Sequence, residues 1–489
     1  MRRSSTLLSV LSISLVLSGA ALAQNATPLP MLKVSDNQRF LITDDGSPFF
    51  WLGDTAWELF HRLNREQAVE YLDLRAKQRF NVIQAVALAE LEGLDDPNAY
   101  GDLPLVNRDP TKPALTPGAD PKQPDAYDYW DHVDFIVDQA NRRGIYVGLL
   151  PTWGSWAPNV RKEDTKIVFT EQNAQVFGEF LGKRYGKGGI VWILGGDRPS
   201  DGVENVWRAM ARGIALGVSG KEDYSAVLMT FHPRGGLTSS TSFHHDAWLD
   251  FNMQQTGHNP ANTPAGQKST REKIAADYNL TPTKPVIDGE PLYEDHPLGF
   301  KAARENGYSF DAHVRQRAYW HVFAGAFGHT YGHHSVWQMY SPHKRPINGP
   351  LLYWTDAIHR PGADQMRHLR ALIESRPMLS RVPDQSLVVD ALSGADHIAA
   401  AHGDGYAFIY SAQGRPFKAN LGKISGDRVT AWWFNPRSGT SEKLDTFENE
   451  GTRDFIPHQH GGFGTDNVLV LDDVSKNFPA PGSGTTSTR

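Results

Sequence analysis

The stretch Ile190-Val191-Trp192-Ile193-Leu194-Gly195-Gly196-Asp197-Arg198-Pro199 constrains this chain more than any other. Five apolar residues in succession fit a short strand covered on both faces, as in a parallel sheet. Two glycines let the backbone leave the strand sharply, and a carboxylate follows at once. In an eight-stranded α/β barrel that position is the catalytic rim. Asp197 in a lone strand-Gly-Gly-Asp motif also fits a cap for the following helix. A second carboxylate site, described below, favours the rim.

Similar units recur along the chain. Phe49–Leu52 reads as a buried strand ending in Gly53-Asp54-Thr55-Ala56-Trp57. Further strands are expected at Asn81–Leu88, Ile145–Leu150, Ala226–Phe231, Trp248–Gln254 and Pro285–Asp288, with an eighth within Gly328–His334. Helical periodicity marks Glu66–Phe80, Tyr127–Arg143, Glu171–Tyr185, Asp311–Ala326 and Ala363–Ser375. Strands alternating with helices over this span predict a (β/α)8 barrel across residues 24–378. An open doubly wound sheet is the alternative, disfavoured because no phosphate-cradling Gly-rich loop follows any strand. The proline-rich segment 91–126 is longer than an ordinary connection, so it is either functional or mobile.

Beyond Met378 the pattern changes to short β-rich segments with Gly-containing turns: Ser386–Asp390, His397–Ala401, Ala407–Ser411, Arg428–Phe434 and Asn467–Leu471. Residues 379–475 are therefore expected to form a small β-sandwich. Residues 476–489, rich in Pro, Gly, Ser and Thr, read as a disordered tail. At the other end, residues 1–23 have the form of a secretory signal: Arg2 and Arg3, an apolar Leu7–Leu17 core, then Ala21-Leu22-Ala23 before Gln24. The destination is periplasmic or extracellular.

Composition removes several function classes. The 489 residues include no cysteine, which excludes disulfides, thiolate metal sites, a cysteine nucleophile and lipoprotein acylation. Net charge is -6 with no basic run, so neither nucleic acid nor a membrane surface is an expected partner. No stretch after the signal is long and apolar enough for membrane insertion, and no motif specifies an oligomer.

Polar residues gather just after predicted strands, hence on one rim: Asp54, Glu90, Trp153, Asp197, His232, His258, Glu290 and the run His329–Trp337. The second carboxylate site lies in Pro285–Glu294. Strand alternation puts Asp288 and Glu290 on one side, with Glu290 nearer the open end and Asp288 one layer deeper, fixing its neighbours. Glu294 and Asp295 are expected to be solvated. Carboxylates after strands four and seven suit glycosidic cleavage, where one group holds a proton for the leaving oxygen while the other stays ionised. Substrate contacts are expected from Asp54, Trp57, Trp153, His232, Gln254, His258, Tyr293, His334 and Trp337, the aromatic rings stacking on sugar faces or filling the barrel wall. His329 and His333 have i, i+4 spacing, but on a strand and turn and without HExxH, so no metal and no cofactor is expected. No G-x-S-x-G elbow supports a serine hydrolase.

The segments WLGDTAWELF (51–60), VWILGGDRP (191–199), QQTGH (254–258), DGEPLYE (288–294) and HTYGHHSVWQ (329–338), in this order behind a signal peptide, resemble the apiosidase-like glycoside hydrolases of family 140. The C-terminal part resembles the small β-domain that accompanies this barrel, often labelled collagen-binding; nothing in residues 379–475 itself shows collagen binding. The resemblance implies a barrel enzyme releasing apiose-linked units from pectic side chains, notably of rhamnogalacturonan II. It implies Asp197 as general acid/base and Glu290 as nucleophile, with retention and a carboxyl separation of about 5–5.5 Å. Arg198, Arg234, Lys344 and Arg345 stand near the rim as charges for an acidic substrate.

Overall fold

The computed structural model describes residues 28–158, 167–258, 269–303 and 305–483. The signal-peptide expectation for residues 1–23 lies outside the described residues.

Eight parallel strands form the expected barrel: β1 (Trp51–Thr55), β2 (Val82–Val86), β3 (Tyr146–Leu150), β4 (Ile190–Gly195), β5 (Met229–His232), β6 (Asn252–Gln254), β7 (Val286–Asp288) and β8 (Gly328–Tyr331). Ladder pairing runs β8-β1-β2-β3-β4-β5, with β6 paired to β7. Single backbone bonds span the two gaps: Asp250 N–H to Met229 O at 2.9 Å, and Phe327 N–H to Val286 O at 3.0 Å. Apolar runs form these strands because helices cover the sheet outside and side chains fill it inside; β2 and β3 are buried at every residue.

The surrounding helices are α1 (Arg65–Lys77), α2 (Tyr129–Arg142), α3 (Glu171–Tyr185), α4 (Glu204–Ser219), α5 (Thr270–Tyr278), α6 (Asp311–Phe323) and α7 (Pro361–Glu374). Capping boxes start α1, α2, α3 and α5, each satisfying otherwise orphaned N–H groups. Only one helical turn, Ser240–Phe243, separates β5 from β6. Among the described residues no helix is long and apolar enough to cross a membrane.

The C-terminal domain holds β9 (Ile398–Gly403), β10 (Tyr406–Ser411), β11 (Phe417–Asn420), β12 (Arg428–Phe434), β13 (Ser441–Glu448), β14 (Thr452–Phe455) and β15 (Asn467–Asp473). An antiparallel sheet runs β9-β10-β15-β12-β13, and β11 pairs with β14 across from it. β9 and β10 are buried on both faces. Ala400, Ala407 and Ile409 pack on the second sheet, whereas Ala399, Ala401, Phe408 and Tyr410 join the barrel core. At that seam Tyr319 of α6 stacks on Tyr410 with centroids 4.8 Å apart. Arg315 pairs with Asp466 at 2.9 Å, and Arg376 with Asp472 at 2.6 Å.

Two C-terminal expectations are corrected. Ser386–Asp390 is no strand: Gln385–Leu387 forms a 3-10 turn under an Asp384 cap, and an isolated bridge joins Val388 to Ala419 of β11. Residues 477–483, expected within a disordered tail, are folded onto the domain. Gly482 N–H donates to Ser375 Oγ at 3.2 Å, and the Arg376 guanidinium lies 4.8 Å over the Phe478 ring.

Candidate active site

The chain leaves β4 through three successive positive-φ residues, Gly195 (92°), Gly196 (129°) and Asp197 (50°). A Cβ on Gly195 would come within 2.4 Å of the His232 carbonyl oxygen, and one on Gly196 within 2.7 Å of the Trp153 ring. Glycines are thus required for the strand end to pass between the ends of β3 and β5. This turn delivers Asp197, whose side chain is 32 % exposed and accepts from Arg198 Nη1 at 3.2 Å. Helix α4 begins only at Glu204, and its first turn takes no side-chain cap, so Asp197 is not a helix cap.

Glu290 follows β7 across the same cavity. Its Oε2 accepts from Gln255 Nε2 at 2.9 Å and lies 3.1 Å from His232 Nε2; its Oε1 lies 3.0 Å from His258 Nε2. An ionised carboxylate can only accept, so both rings present N–H groups to it. His258 Nδ1 in turn faces the Pro291 carbonyl at 3.0 Å, fixing the ring's orientation. Beneath Glu290, Asp288 accepts from the backbone N–H groups of Thr256 (3.2 Å) and Glu290 (3.3 Å), the deeper supporting place expected for it.

The environments drive the two carboxyls apart. Burial pushes Asp197 up, and the nearby Glu290 charge adds to this against the opposing pull of Arg198. Burial also pushes on Glu290, but hydrogen bonds from His232 and His258 outweigh it and hold this carboxyl well below the usual carboxylate range. Gln255 hydrogen-bonds Glu290 and bears on Asp197 as well. One group is therefore biased to keep a proton and the other to remain charged, the division of labour needed to break an acetal bond.

Both carboxyls open on a cavity of about 400 Å³. Trp57, Trp153, His258, Tyr293, His334 and Trp337 line it as expected from the sequence, and His232 stands directly behind Glu290. Trp57 and Trp153 pack together with centroids 5.3 Å apart, forming one aromatic wall. Opposite, His258 stacks on His296 at 4.3 Å, and His296 meets His334 at 4.6 Å. Burial, aided by its two histidine neighbours, pushes His296 down to about 2, so this ring presents a neutral face.

Several expected contacts do not reach the cavity. Asp54 is fully buried between β1 and α1, where it accepts from Arg75 Nε and Tyr71 Oη; it is a structural anchor. Gln254 turns outward and donates to the Lys273 carbonyl at 2.6 Å, while its neighbour Gln255 takes the inward place. Glu294 and Asp295, expected in solvent, are buried: Tyr331 Oη donates to Glu294 at 2.6 Å, and Asp295 pairs with Arg360 at 2.7 Å and His333 at 3.2 Å. No residue of 91–126 lines the cavity. Its wall instead includes Arg234, Gln255, His296, Phe300, Ile347 and Asn348, contributed by loops after β5 to β8 and not singled out as contacts from the sequence, Arg234 apart. Lys344 is turned to Asp96 at 3.5 Å. Among the described residues no group of three or more His, Cys, Asp or Glu is arranged to hold a metal ion. His329 is enclosed in the barrel, His333 binds Asp295, and His334 Nε2–H donates to the Asn348 carbonyl at 3.0 Å.

A barrel with such a carboxyl pair at one rim has the architecture of a glycoside hydrolase, and comparison with solved structures agrees. The chain is 36 % identical to a structure titled glycoside hydrolase, over 92 % of this chain and 98 % of that one, with a TM-score of 0.81. It is 35 % identical to a glycoside hydrolase family 5 structure from Bacteroides vulgatus ATCC 8482, over 92 % and 94 % of the two chains, with a TM-score of 0.79. No curated protein matches. Residues 35–380 match the family model "Apiosidase-like, catalytic domain", and the chain belongs to that family. Residues 382–472 match a model described as the collagen-binding domain of a collagenase.

Proposed function

We propose that this protein is an exported, retaining glycosidase acting on apiose-linked bonds of pectic side chains of the rhamnogalacturonan II type. The observation that carries the mechanism is the opposed bias of two carboxyls on one cavity, Asp197 toward its acid form and Glu290 toward its ionised form. Glu290 attacks the anomeric carbon while Asp197 gives its proton to the departing oxygen. The resulting glycosyl–enzyme ester leaves Asp197 ionised, and it then takes a proton from the water that releases the sugar. Trp57 and Trp153 supply a stacking wall, and Tyr293, His334 and Trp337 complete the sugar pocket. The apiose assignment rests on the family's description. The exposed Arg234 at the cavity mouth suits an acidic pectic chain. Export rests on residues 1–23, whose features direct the chain to the periplasm or the medium.

The test is sugar release from rhamnogalacturonan II and from synthetic apiosides, with two variants. Asp197→Ala should cripple cleavage of a natural sugar–sugar bond, by about 10²–10⁴-fold. It should retain much of the first step on a nitrophenyl glycoside and regain turnover with azide, giving a retained azide product. Glu290→Ala should not be rescued by a good leaving group, and azide should give the inverted product. The reverse pattern would exchange the roles, and wild-type rates in both variants would remove the pair from catalysis.

A further inference from the structure

Among the described residues three carboxyls face the cavity, and the chemistry above employs two. The third is Glu90, four residues beyond β2. The chain around it is tightly held. Leu91 N–H donates to Glu58 Oε1 at 3.0 Å, Trp156 Nε1 donates to Ala89 O at 3.0 Å, and Tyr129 Oη donates to Ala87 O at 2.6 Å. Glu58 is itself fixed by His61 at 2.7 Å. Fixed backbone on both sides aims the Glu90 side chain into the cavity. Burial and the charges of Asp197, Glu58, Arg198 and Glu290 dominate its electrostatics, and among the described residues the Glu90 carboxyl is in no hydrogen bond or ion pair.

A carboxyl aimed into a sugar-sized cavity without a protein partner is placed to be satisfied by the ligand. We propose that Glu90 is a substrate-binding residue, its carboxyl hydrogen-bonding a hydroxyl of the sugar held beside Asp197. This deepens the glycosidase reading of the cavity and rests on it. The facing charges decide the form in which Glu90 acts. Burial comes first, then Asp197 from the end of β4, Glu58 from the β1 side and Glu290 from β7, with Arg198 in opposition; together they push the carboxyl up to about 8. At neutral pH it therefore carries its proton and can donate as well as accept. Ionised, it would lose the donor and add charge beside two other carboxyls.

The test uses the full-length protein and the 4-nitrophenyl glycoside that the wild type turns over fastest, so that no proton from Asp197 is needed in the first step. Glu90→Ala should lower kcat/KM about tenfold, the loss expected for one sugar hydrogen bond. Glu90→Gln keeps a donor and an acceptor at the same place and should stay within about threefold. Above about pH 8 the wild-type kcat/KM should fall while that of Glu90→Gln stays level. Wild-type kcat/KM in Glu90→Ala, or the same alkaline fall in wild type and Glu90→Gln, would overturn the proposal. If melting shows Glu90→Ala unfolded, the Glu90→Gln profile alone decides. Glu290→Ala separates the two levels: an inactive Glu290→Ala beside a normal Glu90→Ala removes only this inference. A fully active Glu290→Ala removes the carboxyl-pair mechanism and, with it, the premise for Glu90.

Discussion

Replacing His258 with alanine should move the acid limb of the pH–rate profile, by an amount set by the hydrogen bonds of Glu290. Burial pushes that carboxyl up, and its donors reverse the effect: Gln255 at 2.9 Å, His258 at 3.0 Å and His232 at 3.1 Å. A hydrogen bond to a charged group contributes about 1.5–3 kcal/mol. About 1.4 kcal/mol corresponds to tenfold in a protonation equilibrium. Losing one donor of the three should therefore carry the acid limb up by about one to two pH units. The sign follows from the proposed role: a nucleophilic Glu290 must be a carboxylate, so kcat/KM falls as pH drops through the point where it takes up a proton. In the wild type that point lies below the usual carboxylate range, and in His258→Ala it moves back toward it. At about pH 7 the group is ionised in both proteins, so the gap between them should widen steadily on acidification. The measurement is kcat/KM on a nitrophenyl glycoside across the acid range, bounded by melting curves of each protein. His258→Gln, which retains an N–H donor, should fall between the two. An acid limb unmoved in His258→Ala would refute the claim that these side chains hold the nucleophile ionised.

Asp54→Ala should act on stability: it leaves the buried Arg75 guanidinium without its carboxylate, costing about 3–5 kcal/mol. Melting temperature should drop sharply while kcat/KM of the folded protein stays near wild type; unchanged melting with lost activity would make Asp54 a site residue. Asp466→Ala should loosen the seam between the domains, because it removes the carboxylate that Arg315 of α6 pairs with across it. Limited proteolysis should then separate the C-terminal domain faster than in wild type, and equal rates would show that aromatic packing alone holds the seam. Exhaustive chelation should leave activity intact; loss that one added ion restores would establish a metal requirement.

The barrel was legible because its strands are short apolar runs ending at turn-forming residues, a pattern that parallel sheets buried on both faces impose. Strand ends were less legible than strand existence. Ala226–Phe231 and Trp248–Gln254 shrink to Met229–His232 and Asn252–Gln254, since apolar residues before a strand also pack beneath the barrel. In the C-terminal domain β11, β13 and β14 escaped notice for the opposite reason. β13 lies at a sheet edge with half of its residues exposed and none buried, and the two-stranded β11–β14 sheet is short and partly polar, so neither shows an apolar run. The ordered segment 477–483 was hidden by its composition. Proline, glycine and serine usually mark disorder, yet Phe478 and Pro481 find contacts on the domain that no local pattern announces.

The site was readable to the level of which carboxyl stands where, and unreadable beyond it. The segment 288–295 carries four carboxyls, Asp288, Glu290, Glu294 and Asp295, and all four are buried. Alternation carried two residues beyond β7 ranks the first two by depth, because extended backbone repeats every two residues. Further from the strand end that rule lapses. Glu294 turns to Tyr331 and the Gly362 N–H, and Asp295 to Arg360 and His333, partners 37 to 68 residues further along the chain. The same lapse explains Gln254 and Gln255, where a one-residue register choice decides which side chain enters the cavity. It also explains why protonation could not be read from residue type. Glu290 owes its charge to donors at the end of β5 and after β6, and Asp197 owes its bias toward the acid form to burial and to Glu290 itself. The opposed biases of the two carboxyls are therefore properties of the closed barrel, created only when the ends of β4 to β7 meet around one cavity.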